Sequence, residues 1–587
     1  RVSLGFGDDN FDMSQYGSGY RGIGGRYKSA SVQTEASKYN ADRNTPFTRN
    51  FDGNNKTLQL LMYIKEYSDD NYHAIGVGGV FNVLQQNIQD TSDKKDIRNE
   101  LANITISGTI ELSYYTKDGV ETDIEDKNPL SVGVGGLVGR SANRATDAAS
   151  RGEGYYADIK NIQLEELSVK APYNAGGIVG LGGISSYAVD GLLHSGVKTN
   201  FFAVHFTNCN LSENVTITSG KNAGGFMGWS ASNANDENSQ TMNPDNIVAF
   251  CEVGNVTVKG SGKNDYAESA GIFFGKCDGS LTVDSSTIKG SSVKANCAGM
   301  AAGQIRYRDG RKFKATDTCI SANENNTKSE IQAQSYAGGL VGRSAVPSTI
   351  ERCTVSDTAI TANTEGGLLG EVTQSSDIYG CKVSGVDFKK TSASTTSLAG
   401  ALVGKLSADL TGGNLLWDTN SYEEGISTKG TWIGSSKNSN GSTGYKVQLA
   451  GVSRRDTTKS TSLDDVGSGE YDGYISYADY TVKNESVTQP ALSVSNPYPE
   501  AKFDKNRSLT LAKGESIYLG EGNNWTIQTG SESYVEIEHN KNLLTAKAVG
   551  TATIKNGYVA YTIKVVDSFV GTEILLQSGT YTSRNEI

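Results

Sequence analysis

The chain has 587 residues, with 69 Gly and only 8 Pro, and its 54 basic against 65 acidic side chains leave a formal charge of −11. Glycine enrichment without proline excludes collagen-like repeats and Pro-rich linkers, and 36% hydrophobic content is enough to fill a core, which argues against simple disorder. Diffuse acidity repels phosphate backbones, so nucleic acid is not an expected partner, and no run approaches the roughly 20 apolar residues that a membrane helix needs.

The start at Arg1, without initiator Met or signal peptide, and the polar end at Ile587 are read as the ends of a piece trimmed from a longer protein. Residues 1–45 include the Gly-rich alternating stretch Gly17–Gln33, expected to form an atypical first rung that caps a column of repeats; a mobile leader is the alternative.

From about residue 46 one short word recurs. It reads GVGGVF at Gly76–Phe81, GVGGLVG at Gly133–Gly139, NAGGIVG at Asn174–Gly180, NAGGFMG at Asn222–Gly228 and SAGIFFG at Ser269–Gly275. It continues as CAGMAAG at Cys297–Gly303, YAGGLVG at Tyr336–Gly342, EGGLLG at Glu365–Gly370 and LAGALVG at Leu398–Gly404, with a degenerate TWIG at Thr431–Gly434. The spacings run from 28 to 57 residues, so one piece of the unit is fixed while its loops vary. Upstream of most copies stands a short strand, a bend and a second short strand, as in Phe206–Thr218, Ala249–Lys259, Glu351–Ala362 and Tyr379–Lys389. The unit is therefore strand, bend, strand, variable loop and Gly-rich apolar strand, and only Asp93–Leu101 has any helical pattern.

Such units cannot bury their apolar faces alone, but stacked in register they share one column. The expected fold is all-β: a right-handed parallel β-helix of about ten rungs over 46–435. The repeat glycines are Gly78, Gly79, Gly135, Gly136, Gly176, Gly177, Gly224, Gly225, Gly271, Gly299, Gly338, Gly339, Gly366, Gly367 and Gly400. They are expected where the coil turns with positive φ or where stacked backbones approach closely. Of the bulky pair after each Gly pair, one side chain per rung is expected to point inward.

These words resemble the GLUG-type repeat of bacterial surface proteins, whose core reads G-G-L-V-G, and Phe51–Ile64 (FDGNNKTLQLLMYI) looks like the lead-in that precedes such repeats. The resemblance covers roughly 45–435 through nine ordered copies, although the Y-A-T-G tail of that family is missing and the spacings are longer. It implies a bacterial extracellular adhesin or large exoprotein with a β-helical stalk.

Residues 436–500 are rich in Ser, Gly, Asn and Asp and are expected to be a loop-rich cap or linker, since the last rung of a solenoid needs cover. Over 501–570 short alternating strands with regular turn signals predict a small antiparallel sandwich. The run Leu543–Ile554 resembles the late strands of bacterial immunoglobulin-like domains of the invasin/intimin class, which implies a spacer module. Residues 571–587 read as the start of a further segment.

Seven cysteines occur, with no C-x-x-C. Cys209, Cys251, Cys319, Cys353 and Cys381 are expected to stack as a core ladder of mostly reduced thiols, with one or more disulfides between non-adjacent places as the alternative; Cys277 and Cys297 complete the set. The four histidines are scattered, and no G-x-S-x-G, H-E-x-x-H, Walker-type or RTX calcium motif occurs, so no catalytic, cofactor or metal residue is assigned. The acid pairs Asp8/Asp9, Asp69/Asp70, Glu165/Glu166, Glu423/Glu424 and Asp464/Asp465 share no repeat position and read as solvated pairs. Tyr155, Tyr156, Tyr187, Tyr266 and Tyr307, with Tyr422, lie in the variable insertions and are candidate binding-loop aromatics; ordinary packing is the alternative.

The sequence thus points to a non-enzymatic, secreted or cell-surface protein whose partner is a surface protein or glycan on a host or neighbouring cell. Self-assembly into an extracellular filament and a polysaccharide-active β-helix enzyme are the alternatives.

Overall fold

The computed structural model describes residues 11–12, 47–67, 77–85, 99–115, 133–142, 155–182, 202–231, 245–306, 310–435, 447–455 and 501–567. Short stretches at 48, 262–265, 392–396, 419, 425, 427–431, 502, 505–506, 521–524, 539–541 and 557–558 are not described. The expected cap over Gly17–Gln33 and the segment 571–587 lie outside the described residues. The chain divides into two compact units, Arg1–Pro490 and Ala491–Ile587.

The first unit is a parallel β-solenoid. Its strands pair only with their counterparts one turn earlier or later, in a continuous parallel ladder of 32 strands and a second ladder of 10. The second ladder contributes one strand per turn and so counts ten turns. No helix occurs among the described residues, and Asn99–Leu101, the end of the one stretch with helical pattern, opens the strand Asn99–Tyr115.

A full turn holds five short strands rather than the three expected. One turn runs Phe202–Thr207, Asn210–Leu211, Thr216–Ser219, Asn222–Gly224 and Met227–Ser230. The next repeats this as Asn246–Ala249, Glu252–Gly254, Thr257–Gly260, Ala267–Gly271 and Phe274–Cys277. Two corners make the difference: one at Asn208–Cys209 divides the first expected strand, and the glycine word is not one strand but the end of the fourth strand, a corner and the start of the fifth. Across that corner consecutive side chains both face the core: Leu137 with Val138, Phe226 with Met227 and Leu340 with Val341 are all fully buried. Elsewhere in the turn alternation holds, so Phe206, Ile217 and their counterparts fill the column while the residues between them face out. Phe226 packs between Phe206 and Phe273, at centroid distances of 5.2 and 5.0 Å.

The column also runs past residue 435. Val447–Arg455, inside the span expected to be cap or linker, pairs in parallel with Leu410–Asp418.

Among the described residues the second unit has seven strands in two sheets. Ser508–Ala512, Val559–Val566, Gly550–Asn556 and Trp525–Ile527 form one, and Ser516–Tyr518, Leu543–Ala546 and Val535–Glu538 the other. Both sheets contribute to a single core around Leu511, Trp525, Ile537, Leu544 and Ile563.

Candidate functional site

The corners of the solenoid and one stacked column carry its distinctive side chains. At the first corner of each turn the chain passes through one residue with positive φ: Asn103, Asn161, Asn208, Phe250, Ser285, Asp317, Arg352 and Gly380, with φ between 45° and 63°. Asparagine tolerates this region, and here its amides also chain together along the rod. Asn208 Nδ2 donates to Asn161 Oδ1 at 2.7 Å, Asn161 Nδ2 to Asn103 Oδ1 at 2.8 Å, and Asn103 Nδ2 to Asp52 Oδ1 at 3.1 Å. Further along, Arg352 grips Asp317 of the preceding turn with two bonds of 2.9 Å.

The residue after this corner points inward and forms the cysteine ladder. Cys209 stacks on Cys251, whose Sγ accepts the Cys209 N–H at 3.4 Å, and Cys353 precedes Cys381. Between the two thiol pairs the ladder is filled by Ser286 and Thr318, both buried. The expectation fails at Cys319. It follows Thr318 by one residue and pairs with Thr287 and Thr354 on the outward side, where it is only partly buried. A shift of one position reverses the face, because side chains alternate. All seven cysteines are free thiols. Burial, then the Cys209 thiol beside it, pushes Cys251 well above the usual thiol range, and the Cys381 thiol with burial does the same to Cys353. Burial raises Cys277 to about 12 and Cys297 to about 11.

The glycine corner works by close approach, not by positive φ. None of the repeat glycines is in the left-handed region. A Cβ on the first glycine of a word would strike the carbonyl three residues on: Gly176 on Val179, Gly224 on Met227, Gly338 on Val341, Gly366 on Leu369 and Gly400 on Val403. A Cβ on the second would strike the corner of the next turn, as Gly136 on Gly177, Gly177 on Gly225 and Gly339 on Gly367. Gly79, Gly135, Gly225, Gly271, Gly299 and Gly367 are equally confined, whereas a Cβ on Gly78 would crowd only the tip of the Ile64 side chain.

Beside this corner lies a charged column that the repeat pattern alone did not single out. The residue after the last glycine of each word stacks turn on turn in the register Arg140, Leu181, Trp229, Lys276, Gln304, Arg343, Glu371 and Lys405, of which Gln304, Arg343 and Lys405 are partly exposed and the others buried. Glu371, whose side chain is 4% exposed, sits between Arg343 at 2.7 Å and Lys405 at 2.8 Å. Glu371 in turn holds Lys405 above its usual range. The rings of Trp229 and Tyr336 lie under cations: Lys276 at 5.2 Å and Arg306 at 5.8 Å on Trp229, Arg343 at 5.8 Å and Lys405 at 6.0 Å on Tyr336. The signal was available, since a long polar side chain follows the word in most copies. Cations and carboxylates of neighbouring turns meet here, so the column ties turns together.

Candidate catalytic groups are dispersed. Glu165/Glu166 and Glu423/Glu424 are exposed pairs at corners, and the other three acid pairs lie outside the described residues. His205 is buried with Nδ1 3.5 Å from Asp158, and its Nε2 lies 3.1 Å from the Asp245 carbonyl, which can only accept. No group of three or more His, Cys, Asp or Glu suited to a metal occurs among the described residues.

The expected binding-loop tyrosines separate. Tyr155 and Tyr156 are not in an insertion but open the strand Tyr155–Ala171, paired with Phe202 and Ala203. Tyr422 stacks on Phe388 at 4.9 Å and packs on the core. Tyr266 lies under Lys294 at 4.8 Å. Tyr187 and Tyr307 are outside the described residues. The connections between the fifth strand and the next turn range from three residues (278–280, 345–347, 373–375, 407–409) to nineteen (183–201), and all of them leave the solenoid at one edge.

No protein family profile matches the chain, and no curated protein is significantly similar to it.

Proposed function

We propose that the chain is a non-enzymatic, extracellular bacterial surface protein in which the solenoid is a stiff shaft that displays variable loops for adhesion. The observation that carries this reading is the contrast within one turn. The five strands keep parallel register from turn to turn, while two connections vary. The one after the fifth strand runs from three to nineteen residues, and the one between the third and fourth strands has two residues in one turn (172–173) and seventeen in another (116–132). A scaffold that holds its register while its connections vary in length suits recognition through those connections. The resemblance to GLUG-type repeats supports a cell-surface setting, and the seven-stranded second unit suits a spacer of the bacterial immunoglobulin-like kind.

The test is binding of the purified chain to glycan and extracellular-matrix arrays, repeated after the long connections 183–201 and 232–244 are each replaced by a three-residue connection. The reading expects a monomer in solution that binds, and loss of binding after loop replacement with unchanged melting. Turnover on a polysaccharide panel, or ordered filaments by negative-stain microscopy, would replace it.

A further inference from the structure

The outward face of the third strand carries a pattern that neither the corners nor the loops explain. In register, Lys170 lies beside Thr218, followed turn by turn by Lys259, Lys294, Gln332, Thr361 and Lys389. From Lys170 to Lys389 the column holds four lysines and no acid, on a chain whose net charge is −11, and Glu111 precedes Lys170 in the same register. The local words are S-V-K at 168–170, T-V-K at 257–259, S-V-K at 292–294 and D-F-K at 387–389. Val169, Val258, Val293 and Phe388 point into the core, so alternation fixes each lysine outward.

Lys170 pairs with Glu111 at 2.7 Å. Lys259, Lys294 and Lys389 have no carboxylate partner among the described residues. Lys259 sits directly across from Lys294, about 4.8 Å away along the rod, and like charges so placed repel. The arrangement costs stability unless an anion neutralises it. The next outward column supplies hydroxyls at Ser168, Thr216, Thr257 and Ser292, with Ser292 Oγ donating to Thr257 Oγ1 at 3.2 Å, and continues as Glu330, Ala359 and Asp387, the last paired with Lys328. Tyr266 stands at its edge with its ring against Lys294.

We propose that this column is a binding track for an acidic polysaccharide lying along the shaft. Carboxylate or sulfate groups of the ligand meet Lys259, Lys294 and Lys389, sugar hydroxyls meet the Ser/Thr column, and Tyr266 offers a ring face to one sugar. A single file of cations fits a single extended polyanion. A nucleic-acid duplex needs a wider basic surface, and this file is flanked by Glu330 in the neighbouring column. The track gives a ligand class to the adhesive reading above and rests on it.

The test compares retention of the whole chain on immobilised alginate, hyaluronan and heparin, with neutral dextran and duplex DNA as controls. Lys259→Gln, Lys294→Gln and Lys389→Gln are combined in one variant. A second variant carries Lys314→Gln and Lys382→Gln, which lie on other strands of the solenoid. The track predicts salt-sensitive binding to at least one acidic polysaccharide and none to dextran. It also predicts about tenfold weaker binding for the triple variant and little change for the double one. Without ligand the triple variant should melt at or slightly above the parent, because it relieves the Lys259–Lys294 repulsion, and the double variant should melt with the parent. Absence of acidic-polysaccharide binding, equal weakening by both variants, or equally tight binding to duplex DNA overturns the track. Glycan binding that survives the triple substitution but is lost on loop replacement overturns the track and leaves the adhesive reading standing.

Discussion

At Gly366 an added Cβ would drive into the Leu369 carbonyl, while at Gly254, an outward strand position, it would meet nothing within 4 Å. The two glycines therefore predict opposite outcomes. Gly366→Ala forces backbone apart at a packed corner and should destabilise the solenoid by about 2–3 kcal/mol in urea titration. Gly254→Ala should be neutral or stabilising by about 0.5 kcal/mol, because it only removes freedom from the unfolded chain. Glu365 is the other singular residue. It stands in register between Ala337 and Ala399 of the neighbouring turns and is fully buried. Its Oε1 accepts the Ala362 N–H at 2.9 Å, and burial raises its pKa well above the ordinary carboxyl value. A carboxyl whose folded pKa is raised favours folding while protonated. Its contribution is therefore fully present below the unfolded value, about 4.3, and is lost as pH climbs from there through the folded value. Glu365→Gln should match the parent in urea midpoint at pH 4 and exceed it at pH 8. Asp284, raised to about 6 by burial and by Asp317, adds a smaller slope of the same sign between about pH 4 and 6.

The cysteine ladder shows how far strand-level reading reaches. Alternation and repeat position placed Cys209, Cys251, Cys353 and Cys381 correctly in the column, since each directly follows the positive-φ corner residue. At Cys319 that placement fails, because Asp317 takes the corner, Thr318 the inward place, and the thiol falls one place late. The glycine word was read as one strand for a related reason: its composition announces tight packing but does not say whether the constraint is φ or proximity. Only the placement of neighbouring turns separates the two. Thiol labelling tests the ladder. Cys319 and Cys297, the two only partly buried thiols, should be alkylated first in native buffer, and the other five only as the solenoid unfolds. Early labelling of Cys251 or Cys353, read by peptide mass spectrometry, would contradict it.

For the chain as a whole, the stacked architecture was legible because nine copies of one word cannot each be a domain, and their apolar faces need one another. The charged column beside the glycine corner was within reach, since its residues directly follow the word, but the lysine track was not, because it depends on which outward positions of different turns fall beside each other. With loops of such different length, that register cannot be counted along the sequence. It is also the claim on which the shaft, the ladder and the track all rest. Register pairing puts Cys319 beside Thr354 on the next turn and Lys382 one turn further. Cα atoms about 4.8 Å apart can be bridged by a disulfide, and those two turns apart cannot. The decisive measurement is therefore disulfide formation under mild oxidation in Thr354→Cys and Lys382→Cys chains, read by peptide mass spectrometry. Stacked register predicts a Cys319 bridge in the first and none in the second; no bridge in the first, or equal bridging in both, would contradict it.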